Sequence, residues 1–222
     1  MSSRLEARAA TYGLLARLVG GEVDEALLAA LRGAQWAEDG QDACGRGEAL
    51  VAGYFRLRKD APAKDVLTEL AVDFARLFVV RARSAKKAAY PFESVYTSEE
   101  AQVMGAARDE VRRFYAAQGL ERDGAWAGNV AEDHIALELE FMQRLCLRAK
   151  HGLEAGDLDG VRGAIEAQGA FHARHLANWV GRFAHVMCEC AQTDFYRGVA
   201  LYLDGWVAQD RALIEETLAA LA

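Results

Sequence analysis

Only two prolines, Pro62 and Pro91, interrupt a chain of 222 residues. Proline lacks a backbone N–H and breaks helices, so almost the whole chain is free of helix-breaking proline. Alanine, leucine, glutamate and arginine are abundant, and these residues lose little side-chain freedom in a helix. The sequence therefore predicts an all-α protein.

Apolar residues recur at helical spacing through most of the chain. Asp65 is expected to cap a central core helix whose face carries Leu70, Phe74 and Phe78. Further helices are expected at residues 5–18, 24–31, 48–57, 98–119, 133–148, 157–168, 171–185, 195–207 and 210–221. Residues 157–168 and 171–185 are either one long helix or a broken helical pair. Short connections favour antiparallel neighbours, so we expect a multi-helix bundle of roughly nine or ten helices.

The stretch 120–128 lacks helical periodicity and is the expected boundary within the chain. We expect an N-terminal helical subdomain of residues 1–120 and a C-terminal helical subdomain of residues 121–222. One compact domain with a hinge near 120–130 is the alternative. Such a hinge permits exchange of halves, so a monomer and a domain-swapped dimer both stay open.

The formal charge of −7 argues against nucleic-acid binding, which requires cationic side chains opposite the phosphates. It favours a cationic partner instead. No N-terminal segment combines a basic region with an apolar run, as a signal peptide would, and no apolar run reaches the roughly 18 residues of a membrane span. We therefore expect no membrane insertion. We therefore expect a cytoplasmic protein whose four cysteines are reduced thiols.

Asp133 and His134 open a predicted helix and form the densest polar cluster of the chain. A plain helix cap explains them, with Asp133 accepting hydrogen bonds from the first-turn amides. His134 and Glu138 also share a helical face, and His172 and His175 lie three residues apart on another helix. The alternative hypothesis is therefore a helical metal-dependent enzyme that uses these four side chains.

Against that alternative, the sequence has no inward-facing repeat of Glu-x-x-His, the usual motif of metal sites in helix bundles. It also has no glycine-rich phosphate loop, nucleophile elbow or His-Glu-x-x-His motif. We therefore predict a non-enzyme without cofactor or metal. The aromatic residues of the last third, by their helical spacing, are expected in the core: Trp179, Phe183, Phe195, Tyr196 and Trp206.

Residues 81–87 form a basic segment. Residues 90–96 are expected to be an extended loop, because Pro91 disfavours helical geometry in the residue before it. This loop is one of four stretches that resemble the TorD/DmsD family of redox-enzyme maturation chaperones. Residues 70–78 are similar to the family's Asp-Tyr-x-x-Leu-Phe helix, and residues 91–96 to its aromatic-Glu-Ser-Val-Tyr loop.

Residues 133–142, Asp-His-Ile-Ala-Leu-Glu-Leu-Glu-Phe-Met, match the family's most specific signature nearly position for position. Residues 171–183 and the pair at 195–196 are similar to its C-terminal helices. One departure precedes the Asp-His pair, where the family usually has Glu-Pro and this chain has Ala131 and Glu132. Glu132 is the candidate to replace the missing carboxylate.

The resemblance implies a cytoplasmic chaperone for molybdenum enzymes of anaerobic respiration. Such a chaperone binds the twin-arginine signal peptide or the apo form of a molybdopterin-containing oxidoreductase, and holds it for cofactor insertion before export. A related alternative, as in NarJ-type chaperones, is a non-exported client that resembles nitrate reductase.

We expect the client-binding residues to come from the 90–96 loop and the start of the 133–142 helix. Carboxylates accept hydrogen bonds from guanidinium groups, and aromatic rings offer apolar contact. The predicted set is Phe92, Glu93, Ser94, Tyr96, Asp133, His134 and Glu138.

Overall fold

A computed structural model describes residues 1–79, 88–98, 105–120 and 130–221. Within these ranges the chain has ten α-helices and no β-sheet, so the prediction of an all-α bundle of nine or ten helices is confirmed. The helices are α1 (Ser2–Gly20), α2 (Glu25–Gly33), α3 (Ala43–Leu57), α4 (Ala63–Phe74), α5 (Glu93–Thr97), α6 (Ala106–Ala117), α7 (Ile135–Ala155), α8 (Leu158–Phe171), α9 (Val180–Cys190) and α10 (Asp194–Ala219).

Two helices continue as single π-helical turns, α4 through Ala75–Val79 and α8 through His172–Leu176. No described helix has the length and apolarity needed to cross a bilayer. The basic segment 81–87 and most of the proposed hinge at 120–128 lie outside the described residues.

The chain forms two compact units that are interleaved in sequence. The first unit contains Met1–Gly20, Phe92–Trp179 and Val207–Ala222, and the second contains Gly21–Pro91 and Val180–Trp206. The expected division into residues 1–120 and 121–222 stays a prediction, because much of its hinge is not described.

In the first unit, α1 packs along α7, and α7 packs against α8. A buried ion pair joins α1 to α10: Nε and Nη2 of Arg8 donate to the two carboxylate oxygens of Asp210 at 2.6 and 2.8 Å. The hydroxyl of Tyr12 donates to the same carboxylate at 2.6 Å. Arg8 is 1% exposed and Asp210 is fully buried, so water does not screen this pair.

In the second unit, α3 and α10 approach until their backbones touch. A Cβ atom on Gly47 would lie 2.6 Å from the carbonyl oxygen of Gly198 and from the amide nitrogen of Tyr202. Because no real Cβ tolerates such a distance, glycine is required here.

The predicted aromatic core is confirmed, since all five of its members are buried: Trp179, Phe183, Phe195, Tyr196 and Trp206.

Asp73, near the end of α4, is buried and accepts hydrogen bonds from the amides of Gln192 and Thr193 and from the Thr193 hydroxyl. It therefore supports the start of α10 from a distant part of the sequence. The expectation that Asp65 caps α4 is wrong. Pro62 occupies that cap position and Asp65 lies in the first turn.

Three other helix predictions also need correction. Residues 93–97 form the short helix α5 instead of an extended loop, and Ser98 ends that helix instead of starting the next one. The carboxylates Glu99 and Glu100 lie outside the described residues. The two helices expected at 195–207 and 210–221 are one helix, α10, and Asp210 lies inside it, paired with Arg8.

Candidate functional site

The segment 92–94 and the residues before α7 pair across the first unit. Phe92 and His134 form an isolated antiparallel β-bridge, and the amide of Glu93 donates to the carbonyl of Asp133 at 2.9 Å. Oδ2 of Asp133 accepts from the amide and the hydroxyl of Ser94 at 3.0 and 2.5 Å. Asp133 therefore caps α5, and the prediction that it caps its own helix is wrong.

His134 occupies the cap position of α7 instead. Its Nδ1 accepts a hydrogen bond from the amide of Ala136 at 3.1 Å, so the ring proton lies on Nε2. Burial lowers the pKa of His134 to about 4, and the ring is therefore neutral at pH 7. The Phe92 ring meets it edge-on at 5.1 Å between centroids.

The carboxylate of Glu93 points into the interior and is only 2% exposed. Its Oε2 lies 2.8 Å from Nδ1 of His175, and its Oε1 accepts from the side-chain Nδ2 of Asn178 at 3.3 Å. The π-helical turn His172–Leu176 carries His175. Single π-helical turns are frequent at functional sites, because the extra residue redirects a side chain.

Glu138, on the first turn of α7, is fully buried beside Glu93 and Asp133. Burial, reinforced by the charges of these two carboxylates, raises the pKa of Glu138 well above its ordinary value. The protonated form of Glu138 is therefore favoured over its ionised form, and Nε1 of Trp179 donates to its Oε2 at 3.2 Å.

Aromatic rings cover this cluster and reach the surface. Tyr96 stacks on Trp179 with 5.4 Å between ring centroids and 30° between ring planes. Phe92, Tyr96 and His134 are half-buried, whereas Trp179 is 1% exposed. We call the surface formed by Phe92, Tyr96 and His134 the aromatic face.

Glu132, the residue suggested as a substitute for the missing carboxylate, pairs with Nε of Arg108. Its carbonyl accepts from the hydroxyl of Tyr115 at 3.1 Å. Both contacts fix the approach to α7, and the carboxylate of Glu132 already has a cationic partner within the chain.

The structure brings the seven predicted site residues into one region of the first unit. Three of them form the aromatic face, and the other four lie beneath it: Glu93, Ser94, Asp133 and Glu138. Sequence reasoning missed the partners of the buried carboxyl groups. The sequence suggested His175 only as a candidate metal ligand and Trp179 only as a core residue, and it gave no signal for Asn178.

The alternative metal site does not assemble. His172 directs Nε2 at the carbonyl of Val207 at 2.7 Å, His175 directs Nδ1 at Glu93, and Nδ1 of His134 caps α7. Among the described residues, no three His, Cys, Asp or Glu side chains are grouped as metal ligands. The hypothesis of a helical metal-dependent enzyme therefore has no ligand set.

Comparisons of the sequence with known proteins find a matching family model and several similar proteins. The family model described as nitrate reductase delta subunit matches residues 25–185. A protein named chaperone protein TorD from Vibrio cholerae serotype O1, strain El Tor Inaba N16961, is 30% identical over 156 residues, which cover 69% of this chain and 66% of that protein, just under two thirds of its length.

Two further proteins named chaperone protein TorD match over longer stretches. The protein from Shewanella sp. strain MR-4 is 28% identical, with 96% of each chain covered. The protein from Escherichia coli O45:K1 is 28% identical, with 85% of each chain covered. The family model spans most of the chain, and the chain therefore belongs to the nitrate reductase delta subunit family, which includes the TorD and NarJ proteins.

Proposed function

We propose that this chain is a cytoplasmic chaperone that holds a molybdopterin-containing oxidoreductase until its cofactor is inserted, and that a client segment binds at the aromatic face. The observation that carries the proposal is the assembly of Phe92, Tyr96 and His134 on one surface over buried carboxyl groups. The relatives are named as chaperones, which supports a non-enzymatic role.

The aromatic face suits a segment that carries apolar side chains. Aromatic rings with few rotatable bonds bury much area at little entropic cost and often dominate binding energy. The ring of Tyr96 stacks on Trp179, and the ring of Phe92 packs edge-on against His134. Such rings are preorganised, so little ordering cost remains for the bound state.

The carboxyl groups below the face suit a cationic residue next to that apolar segment. Oδ1 of Asp133 is buried without a hydrogen-bond partner among the described residues, and so is Nε2 of His175. A buried polar atom without a partner is costly, and a group that reaches it recovers that cost. We propose that a client arginine reaches Asp133 and Glu93 when α5 shifts.

The test is calorimetric titration with leader peptides of molybdoenzymes from the same organism. Each peptide is compared with a version in which the paired arginines are alanine. We expect binding that depends on the arginines. We also expect Phe92→Ala with Tyr96→Ala to weaken it by about tenfold to a hundredfold, because two anchoring rings are lost.

The matched control is Phe78→Ala, which removes a half-buried ring in the second unit. It should leave leader-peptide affinity unchanged. Melting temperatures of all variants show whether each remains folded. Equal affinity of the double variant and the parent chain would rule out the aromatic face as the binding surface.

A second candidate is recognition of the body of a non-exported, nitrate-reductase-like client. It is favoured by the burial of Glu93 and Asp133, which are at most 2% exposed and do not meet solvent in this conformation. The same titration separates the two candidates. Binding of the folded apo-enzyme but of no leader peptide would support this second form of the proposal.

A further inference from the structure

A solvent-open cleft of about 660 Å³ lies in the second unit, at the ends of α2 and α3. The cleft contains none of the predicted client-binding residues and none of the residues of the aromatic face. Its volume lies within the range of about 300–1,000 Å³ that is typical of ligand pockets. The lining side chains that bear on its chemistry are Arg32, Trp36, Glu38, Phe55, Arg56 and Lys59.

The cleft is cationic in a chain of formal charge −7. Three cations face one carboxylate, that of Glu38. Glu38 lies 3.6 Å from Nη1 of Arg56, and both side chains are more than two-thirds exposed. Exposed pairs of this kind are weak, so an incoming carboxylate can replace Glu38 at little cost. Lys59 has no carboxylate partner among the described residues.

The walls of the cleft are held in place. Nη2 of Arg32 donates to the carbonyls of Arg58 and Ala61, which fixes its guanidinium at the end of α3. The indole nitrogen of Trp36 donates to the carbonyl of Leu31 at 2.9 Å. The polar edge of Trp36 is therefore occupied, and its ring surface is the part that faces a ligand.

Phe55 supplies an apolar floor. Its ring packs edge-on against Tyr54 at 5.3 Å and against Phe195 at 5.7 Å, and it is 9% exposed. The cleft thus combines an apolar base with cations at its rim. This arrangement complements an apolar side chain flanked by carboxylates.

We propose that this cleft binds an acidic segment of a partner protein, with an apolar side chain between Trp36 and Phe55 and carboxylates on Arg56 and Lys59. An extended segment fits better than a compact ligand because both rim cations stand on long, exposed and flexible side chains. The choice of a protein segment rests on the proposed chaperone function. The residues differ entirely from those of the aromatic face.

The experiment is calorimetric titration of the full chain with the probe peptide acetyl-Glu-Glu-Phe-Glu-Glu-amide. We expect saturable binding that weakens by about tenfold or more in Arg56→Glu with Lys59→Glu, because both rim cations are reversed. Glu38→Lys adds a cation at the same rim and should strengthen binding. A misfolded variant cannot produce such a gain.

The matched control is Lys64→Glu with Arg112→Glu, which makes the same change in net charge at exposed positions outside the cleft. It should change affinity by less than about twofold. Equal losses in both double variants would overturn the proposal. So would equal binding of acetyl-Lys-Lys-Phe-Lys-Lys-amide, or binding of inorganic pyrophosphate while the acidic peptide stays inert.

The two proposals fail separately. If leader peptides bind the aromatic face but the acidic probe binds nowhere at about 1 mM, only the cleft assignment is wrong. If the acidic probe binds the cleft but no leader peptide or client enzyme binds the chain, the cleft stands and the chaperone proposal falls.

Discussion

Replacement of Asp210 by alanine is expected to lower the free energy of unfolding by about 3–5 kcal/mol. The substitution leaves the guanidinium of Arg8 buried without its counter-charge and removes the acceptor of the Tyr12 hydroxyl. Urea denaturation followed by circular dichroism measures the loss. This is among the largest effects that a single change in this chain can produce.

A second ion pair between the same two helices provides the control. Arg4 and Glu216 lie 3.0 Å apart, but their side chains are 52% and 60% exposed. Arg4→Ala should therefore cost at most about 1 kcal/mol. The double variant Arg8→Met with Asp210→Leu should be more stable than Asp210→Ala alone, since no charge stays buried. Similar losses for Arg4→Ala and Asp210→Ala would contradict the assignment.

Replacement of Glu138 by glutamine is expected to make stability less sensitive to rising pH. The folded-state pKa of Glu138 is raised above its ordinary value of 4.5 by burial and by neighbouring carboxylates. Its stabilising contribution is therefore fully present below pH 4.5. It is lost as the pH rises toward the folded-state pKa, because the unfolded chain releases the proton first.

Glutamine keeps the shape and the acceptor for Trp179 but has no proton to lose. We compare the folding equilibrium constant of Glu138→Gln with that of the parent chain. Above pH 4.5, the ratio of the variant's constant to the parent's should rise by up to about tenfold per pH unit. Denaturation at several pH values between 5 and 8 measures this trend. Glu154→Gln, on the exposed end of α7, is the control and should run parallel to the parent. Parallel curves for Glu138→Gln as well would show that Glu138 is ionised when folded.

Most helices were predictable because their residue patterns are local. The helices expected at 5–18 and 157–168 follow from residue patterns within a few positions, and α1 and α8 agree with them. Helix α5 was not predictable in this way. Its five residues, 93–97, are too few to show helical periodicity. The residue that caps the helix, Asp133, lies 39 positions after Ser94.

The site was predictable only in part for the same reason. Residues 92–96 and 133–138 stand out as motifs, and the hypothesis that they form one site rested on the density of polar residues in them. Their buried partners have no local signal, since His175 meets Glu93 across 82 positions and Trp179 meets Glu138 across 41. Arg8 and Asp210 likewise read as ordinary polar positions on helices, because a charge on one helix does not reveal its distant partner.

The buried pair also constrains how the chain can be synthesised. Arg8 leaves the ribosome 202 residues ahead of Asp210, which amounts to roughly 10–40 s at about 5–20 residues per second. During that interval Asp210 has not been synthesised, so burial of the Arg8 guanidinium would leave its charge without a partner. Nascent α1 therefore gains most by docking late, and the first unit is completed after translation has reached α10, not as its N-terminal helix emerges.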